Sequence, residues 1–483
     1  MVKRPVLTAA LAAACAAAVP APAFSATDED LVRLRDEVRQ MKQEYEARIR
    51  SLEQRLQAAE AQPAAVQPAA VQAASSGAPA TAAPAAMSAA AAPAALPAPA
   101  NTSANAFNPA ISAILGGTYA RLSQDPKQFR LQGFVPGGES AGPGSRSFDL
   151  GESELTLSAN IDPRFAGLLT FSLGSDNNLS VEEAYFQTKG LSNGLNVKGG
   201  RMLSAIGYLN SIHAHAWDFI DAPLAYQAFL GRQYRTDGLQ FKWLAPTERF
   251  LELGLEAGNG ATFPGNDRNR NGVGATALFA HVGDDIGESA SWRAGLSYLR
   301  TGSADRPYDD SDSAGAMVTN AISGRANTWI VDGVYKWSPN GNATRTNFKL
   351  QGEYFRRRES GTIAFDTAGQ SLAGAYASAQ SGWYLQGVYQ FMPAWRVGLR
   401  YDRLSSGTPA IETVGSGALT AADFPRLAPY EPSRTSLMVD YSPSEFSRLR
   451  LQLAQDKSRP GATDNQVFLQ YIMSLGVHGA HTF

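Results

Sequence analysis

From residue 147 to residue 483 the chain is written in stretches of about ten residues in which apolar and polar side chains alternate, joined by connections that are alternately very short and very long. A period of two puts successive side chains on opposite faces of a strand. One apolar row and one polar row, repeated many times, give a sheet with a hydrocarbon face and a water face. In lipid every backbone N–H and C=O must be paired within the sheet, and only a closed barrel leaves no open edge. No run of about 18 apolar residues follows the first two dozen, so helical spans are excluded. Mean hydropathy is slightly negative and hides all of this. The expected fold class is all-β, a transmembrane antiparallel β-barrel of about 16 strands, preceded by an N-terminal periplasmic coiled-coil helix.

Composition shifts abruptly along the chain and marks four segments. Residues 1–25 read as a secretory signal: basic Lys3 and Arg4, an Ala-rich apolar run from Val6 to Val19, and a small-x-small site at Ala23, Phe24 and Ser25. Ala12 to Cys15 also fit a lipoprotein box, but the apolar run continues past them to the better site. Cys15 is the only cysteine, so removing the signal excludes disulfides and thiol-held metals. It also leaves 40 basic against 44 acidic side chains, a formal charge of −4 that does not suggest nucleic acid as a partner.

Residues 26–62 change period. Leu31, Leu34, Val38, Met41, Tyr45, Ile49, Leu52, Leu56 and Ala59 follow at steps of three and four, a coiled-coil seam with one stutter at Tyr45. A lone helix with so regular a stripe would expose its leucines, so a short oligomer is expected. Residues 63–106 are an Ala/Pro-rich linker whose prolines keep it extended. Residues 107–483 hold the barrel.

Strands are expected near 147–160, 163–174, 179–189, 193–204, 235–245, 248–257, 273–283, 289–301, 327–338, 344–357, 381–391, 394–404, 434–442, 446–456 and from 466 onward, with a first strand between Ile111 and Val135. The total is sixteen. Turns such as those at Pro163, Pro246, Pro339, Pro393 and Pro443 are short, while 301–326, 358–380 and 405–433 read as long loops. Short periplasmic turns and long outer loops put both termini, and the coiled coil, in the periplasm.

Alternation also assigns faces. Trp329, Val331, Gly333, Tyr335 and Trp337 share a lipid-facing row, as do Trp383, Leu385, Tyr389 and Phe391, and Trp395, Val397, Leu399 and Tyr401. Their aromatic residues fall mostly at strand ends, where girdles meet headgroups. On the water side, late strands present Lys349, Arg396, Arg400, Arg448 and Arg450 as pore-lining bases. Early strands present Glu152, Glu154, Glu183, Glu252 and Glu256 as pore-lining acids. Acids facing bases would set a transverse field across a narrow pore, unless the charges merely pair along the wall. The loop at 202–234 is too apolar for water. Its expected place is inside the barrel, narrowing the lumen, with Tyr208, His213, His215, Trp217, Asp218, Asp221 and Tyr226 as its candidate site residues.

Other chemistry finds little support. Asp267, Asn269, Asn271 and Gly272 open like a calcium loop, but Leu278 stands where a Glu is required. His213 and His215 with Asp218 have no fixed third partner, and hydrogen bonding within a packed loop is the expectation. No nucleophile motif accompanies His281. The reading is therefore no enzyme, no cofactor and no metal.

The layout, carried by Gly199-Gly200-Arg201 leading into Ile206-Gly207 before the inward loop and by Gly476 to Phe483 at the end, resembles Gram-negative outer-membrane porins, most closely the phosphate-selective porin O and P type. The resemblance implies a homotrimer passing small hydrophilic, in that family anionic, solutes without energy input. The bases here are fewer than that family's Arg and Lys ladder, and acids face them. Implied partners are outer-membrane lipid and, through a strand ending at Phe483, the barrel assembly machinery. The second function considered is a structural anchor whose coiled coil tethers the envelope, with peptidoglycan as partner.

Overall fold

The computed structural model describes residues 109–135, 141–151, 153–174, 177–266 and 271–476. The chain divides into two units, Met1–Pro84 and Ala85–Phe483, the first wholly outside the described residues. The expected signal, coiled coil and linker also lie outside them, as do Glu152, Asp267, Asn269 and the terminal Phe483.

Sixteen antiparallel strands close into a barrel. The first eight are β1 (Ala110–Leu122), β2 (Ser153–Asn160), β3 (Phe165–Leu173), β4 (Leu179–Thr188), β5 (Leu195–Leu203), β6 (Arg235–Leu244), β7 (Phe250–Gly258) and β8 (Ala275–Ile286). Four long strands follow: β9 (Ala290–Ser311), β10 (Met317–Trp337), β11 (Asn347–Phe365) and β12 (Leu372–Met392). The last four are β13 (Trp395–Ser405), β14 (Ser433–Ser444), β15 (Ser447–Arg459) and β16 (Ala462–Gly476). Two short segments, Ser147–Asp149 and Ala410–Ile411, add to the rim. β1 pairs with β16 from Ser112 opposite Gly476 to Leu122 opposite Gln466, which removes the sheet edge.

The architecture is the all-β barrel expected from the sequence, but one group of connections differs. Residues 301–326 and 358–380, expected as loops, are the upper halves of β9 to β12, closed by tight turns at 312–316 and 366–371. About ten residues cross the hydrocarbon, yet these strands run for 19 to 22. Beyond the lipid no apolar outer row is needed, so alternation disappears while pairing continues. Inside these projecting tips a small core forms, where Ile322, Ile363, Phe365 and Tyr376 pack under Phe424 and Leu427 of the 406–432 segment.

Around the outer wall Leu115, Leu155, Phe241, Leu278, Leu296, Trp329, Leu385, Leu399, Leu451 and Leu469 are all exposed. An apolar belt of this extent, on a closed sheet, is what a barrel presents to lipid. The main core, by contrast, lies inside the lumen, between segment 204–234 and the wall from β8 to β13.

Candidate functional site

Segment 204–234 joins β5 to β6 and is built into the barrel. Its α-helix, α1 (Leu224–Leu230), has every residue buried, an arrangement its apolar sequence requires. Gly231 ends α1 in the left-handed region (φ 62°) and donates its N–H to the Tyr226 carbonyl. Phe229 stacks flat on Phe355 at 5.7 Å and meets Phe134 edge-on, while Tyr226 packs edge-on against Phe355. Tyr208, Trp217 and Phe219 are also buried. Phe134 and Leu131 belong to the segment after β1, which the sequence reading did not place in the lumen.

Polar bonds fix this segment to the wall on three sides. Early in the barrel, Glu256 accepts from Ser204 Oγ and from the Ala205 N–H. Glu183 accepts the Leu203 N–H at 3.0 Å and pairs with His213 Nε2 at 3.0 Å. His213 Nδ1 lies 3.2 Å from Glu154 and 3.3 Å from Glu182, and His215 Nδ1 lies 2.9 Å from Glu154. Burial disfavours the charged His213 ring, but Glu154, Glu182 and Glu183 hold its pKa well above the ordinary value.

On the middle wall, Glu353 accepts four bonds: from the N–H groups of Tyr208 and Leu209 (3.1 and 3.0 Å) and from the hydroxyls of Tyr226 and Tyr384 (2.9 and 2.7 Å). Gly207 makes this approach possible. Its φ is +67°, and an added Cβ would sit 2.4 Å from Glu353 Oε2. Gly207→Ala is therefore expected to displace the segment from Glu353 as well as to cost about 1–2 kcal/mol for the left-handed backbone. Faster hydrogen exchange at the Tyr208 and Leu209 amides would show it; native-like protection there would contradict the close-approach role.

The late wall grips two aspartates. Asp218 is held by Lys349 Nζ at 2.5 Å, Arg396 at 3.3 Å and Gln386 at 3.1 Å. Asp221 bridges Arg400 and Arg434, both at 2.6 Å, and accepts from Gln452 at 3.0 Å. Burial pushes the Asp221 carboxyl up, but Arg434 and Arg400 pull it further down, to about 2. Backbone groups are held too: Asp402 accepts the Leu224 N–H, Arg450 donates to the Trp217 carbonyl and Arg448 to that of His215.

The residues that the sequence assigned to the lumen thus come together around the segment that crosses it. Lys349, Arg396, Arg400, Arg448 and Arg450 all contact it or its aspartates, and Glu154, Glu183 and Glu256 contact its opposite flank. Glu252 instead pairs with Lys242 and His281 on the wall. Asp218, read beside the histidines, sits on the far wall with Lys349, and Glu154 takes the place beside His213 and His215.

A simple division into early acids and late bases does not survive. Lys198 and Lys242 are early inward bases, and Asp402 and Asp440 are buried late acids. Seven bases, Lys198, Lys242, Arg293, Lys336, Lys349, Arg396 and Arg448, fall within four residues of the short-turn ends of their strands. At two places exposure separates the signs further. The side chains of Lys349 and Arg396 are 20% and 25% exposed while their shared partner Asp218 is 4% exposed. Across the lumen His213 is 22% exposed and Glu154 beneath it 2%.

Glu353 and Arg434 were legible on inward rows but not singled out. Glu182 was not legible, because it is the extra residue of a bulge in β4, opposite Thr170 and Phe171, so that Glu182 and Glu183 are both buried inward.

Fold and site define a membrane-spanning sixteen-stranded barrel with a polypeptide segment clamped across its lumen. The chain belongs to the family of an uncharacterized protein of Aquifex aeolicus (strain VF5), with which it is 30% identical over 410 residues, 79% of this chain and 81% of the relative. No protein-family model matches the chain. Among solved structures, the trimer form of OmpT, an outer membrane protein of Vibrio cholerae, is 10% identical with a TM-score of 0.47, covering 76% of this chain and 99% of that one. An anion-selective porin from Comamonas acidovorans gives 12% identity and 0.47, with coverage of 76% and 99%. The outer membrane channel DcaP of Acinetobacter baumannii gives 12% and 0.44, with coverage of 76% and 97%. At such identities and scores these similarities say nothing about what this chain passes or binds.

Proposed function

We propose that the protein is an outer-membrane porin through which small hydrophilic solutes diffuse passively past segment 204–234, with anions preferred. The observation that supports this most is the asymmetry of exposure in the lumen. At Asp218 and Asp440 the carboxylates are buried beneath Lys349 and Arg396, whose heads keep the contact with water. A solute in a narrow low-dielectric passage responds to the charges it meets, and those are cationic. Lys336 and Arg448, also partly exposed near the short-turn ends, extend the same preference along that end. In this reading the short turns face the periplasm, and the seam in residues 28–62 supports assembly as an oligomer.

Reversal potential under a salt gradient, measured on single channels in planar bilayers, tests the preference. The native chain is expected to pass the anion of the salt several-fold better than the cation. Lys349→Gln with Arg396→Gln removes two partly exposed bases and unmasks Asp218, so the potential should move toward or past zero. A cation-selective native channel, or a double variant with unchanged potential, would reject anion preference while leaving the channel itself standing.

A further inference from the structure

We propose that Glu154, Glu182, His213 and His215 form a binding site for one divalent transition-metal ion of the zinc type, which staples segment 204–234 to strands β2 and β4. Ligand atoms of Glu154, His213 and His215 all lie within 4.8 Å of one another. A tetrahedral ion bound to nitrogen and oxygen at about 2.0–2.1 Å holds its ligand atoms roughly 3.3 Å apart. The observed separations are 3.2 Å (His213 Nδ1 to Glu154 Oε2), 3.3 Å (His213 Nδ1 to Glu182 Oε2) and 2.9 Å (His215 Nδ1 to Glu154 Oε1).

A second observation points to the same ion. His213 Nδ1 and Glu182 Oε2 are buried and face each other, yet neither has a hydrogen bond of good geometry. Such orphaned atoms cost free energy unless something completes them. The opposite nitrogen of His213 is already fixed by Glu183, whose other oxygen is held by the Leu203 N–H. A carboxylate behind a histidine, aiming its free nitrogen, is the usual support of a metal ligand. Charge agrees: three carboxylates surround two imidazoles, and one divalent cation supplies the positive charge that two ring protons otherwise would. Imidazole and carboxylate together favour zinc-type ions over calcium or magnesium.

The test is zinc titration by calorimetry on the chelator-stripped full-length chain in detergent, without a histidine tag. One zinc per chain is expected, and Co²⁺ should give the visible absorption of a tetrahedral site. His213→Ala with His215→Ala should abolish that stoichiometric uptake. Glu183→Gln keeps every ligand and should weaken zinc 10- to 100-fold, which covers the case where the double variant folds poorly. Absence of stoichiometric zinc in the native chain, or equal uptake by the double variant, would overturn the site. Neither readout depends on permeation, so the porin reading stands or falls separately.

Discussion

Asp221→Ala is expected to release the late side of the lumen segment, at a cost of about 3–5 kcal/mol, because it strands two buried guanidiniums that share one carboxylate. Arg400 would retain Asp402, with which it pairs at 3.0 Å, but Arg434 reaches that carboxylate only at 3.7 Å. The loss should appear locally. Hydrogen exchange at the Leu224 and Ile220 amides, bonded to Asp402 and Gln452, should quicken about a hundred- to a thousand-fold, with strand amides of β13 to β15 little changed. Because Asp221 titrates near 2 in the folded chain against about 3.8 when unfolded, its contribution is complete above pH 3.8 and fades as pH falls through 2. The variant should therefore lose the same protection at pH 5 as at pH 7. A loss that shrinks between those two values would mean that the Asp221 carboxylate is not the charge at work.

Glu353→Ala carries the second large effect. It leaves two buried amide N–H groups and two buried tyrosine hydroxyls without their acceptor, at about 1–3 kcal/mol for each one that cannot be satisfied otherwise. Tyr384 can still accept from Gln351, which limits the damage on the wall side. Most of the cost falls on the segment, so exchange at Tyr208 and Leu209 should approach that of an open loop. Single-channel current should become noisier as the segment moves. Combined with Asp221→Ala, the loss should be smaller than the two losses added, since both variants release one segment. Strict additivity would show that the two walls hold independent pieces of chain.

The barrel was readable because lipid imposes one rule on every spanning strand, and Trp329, Val331, Leu385 and Leu399 obey it. Where lipid ends the rule ends, which is why the upper halves of β9 to β12 read as loops although Tyr308 and Ile322 are buried in paired strands. The inward placement of 204–234 followed from composition alone, since a segment carrying Trp217, Phe219, Tyr226 and Phe229 cannot stay in water. What alternation could not supply was partnership. It put Arg400 and Glu154 on the water side but not Asp221 against one and His213 against the other, contacts separated by many residues and set by how the segment crosses the lumen. Nor could it reveal that Asp218 and Asp440 are buried more deeply than Lys349 and Arg396, which leaves two partly exposed bases above them.

In the proposed function, segment 204–234 narrows an aqueous passage through this barrel. Single-channel conductance in planar bilayers tests it most directly, comparing the native chain with one in which residues 208–230 are replaced by a short Gly/Ser link. The native chain should insert in discrete conductance steps, and the shortened chain should give steps several-fold larger, because the buried core of α1 and its aromatic neighbours would no longer occupy the lumen. Steps of equal size would place the passage away from the segment, and no conductance from either chain in any salt would contradict the claim outright.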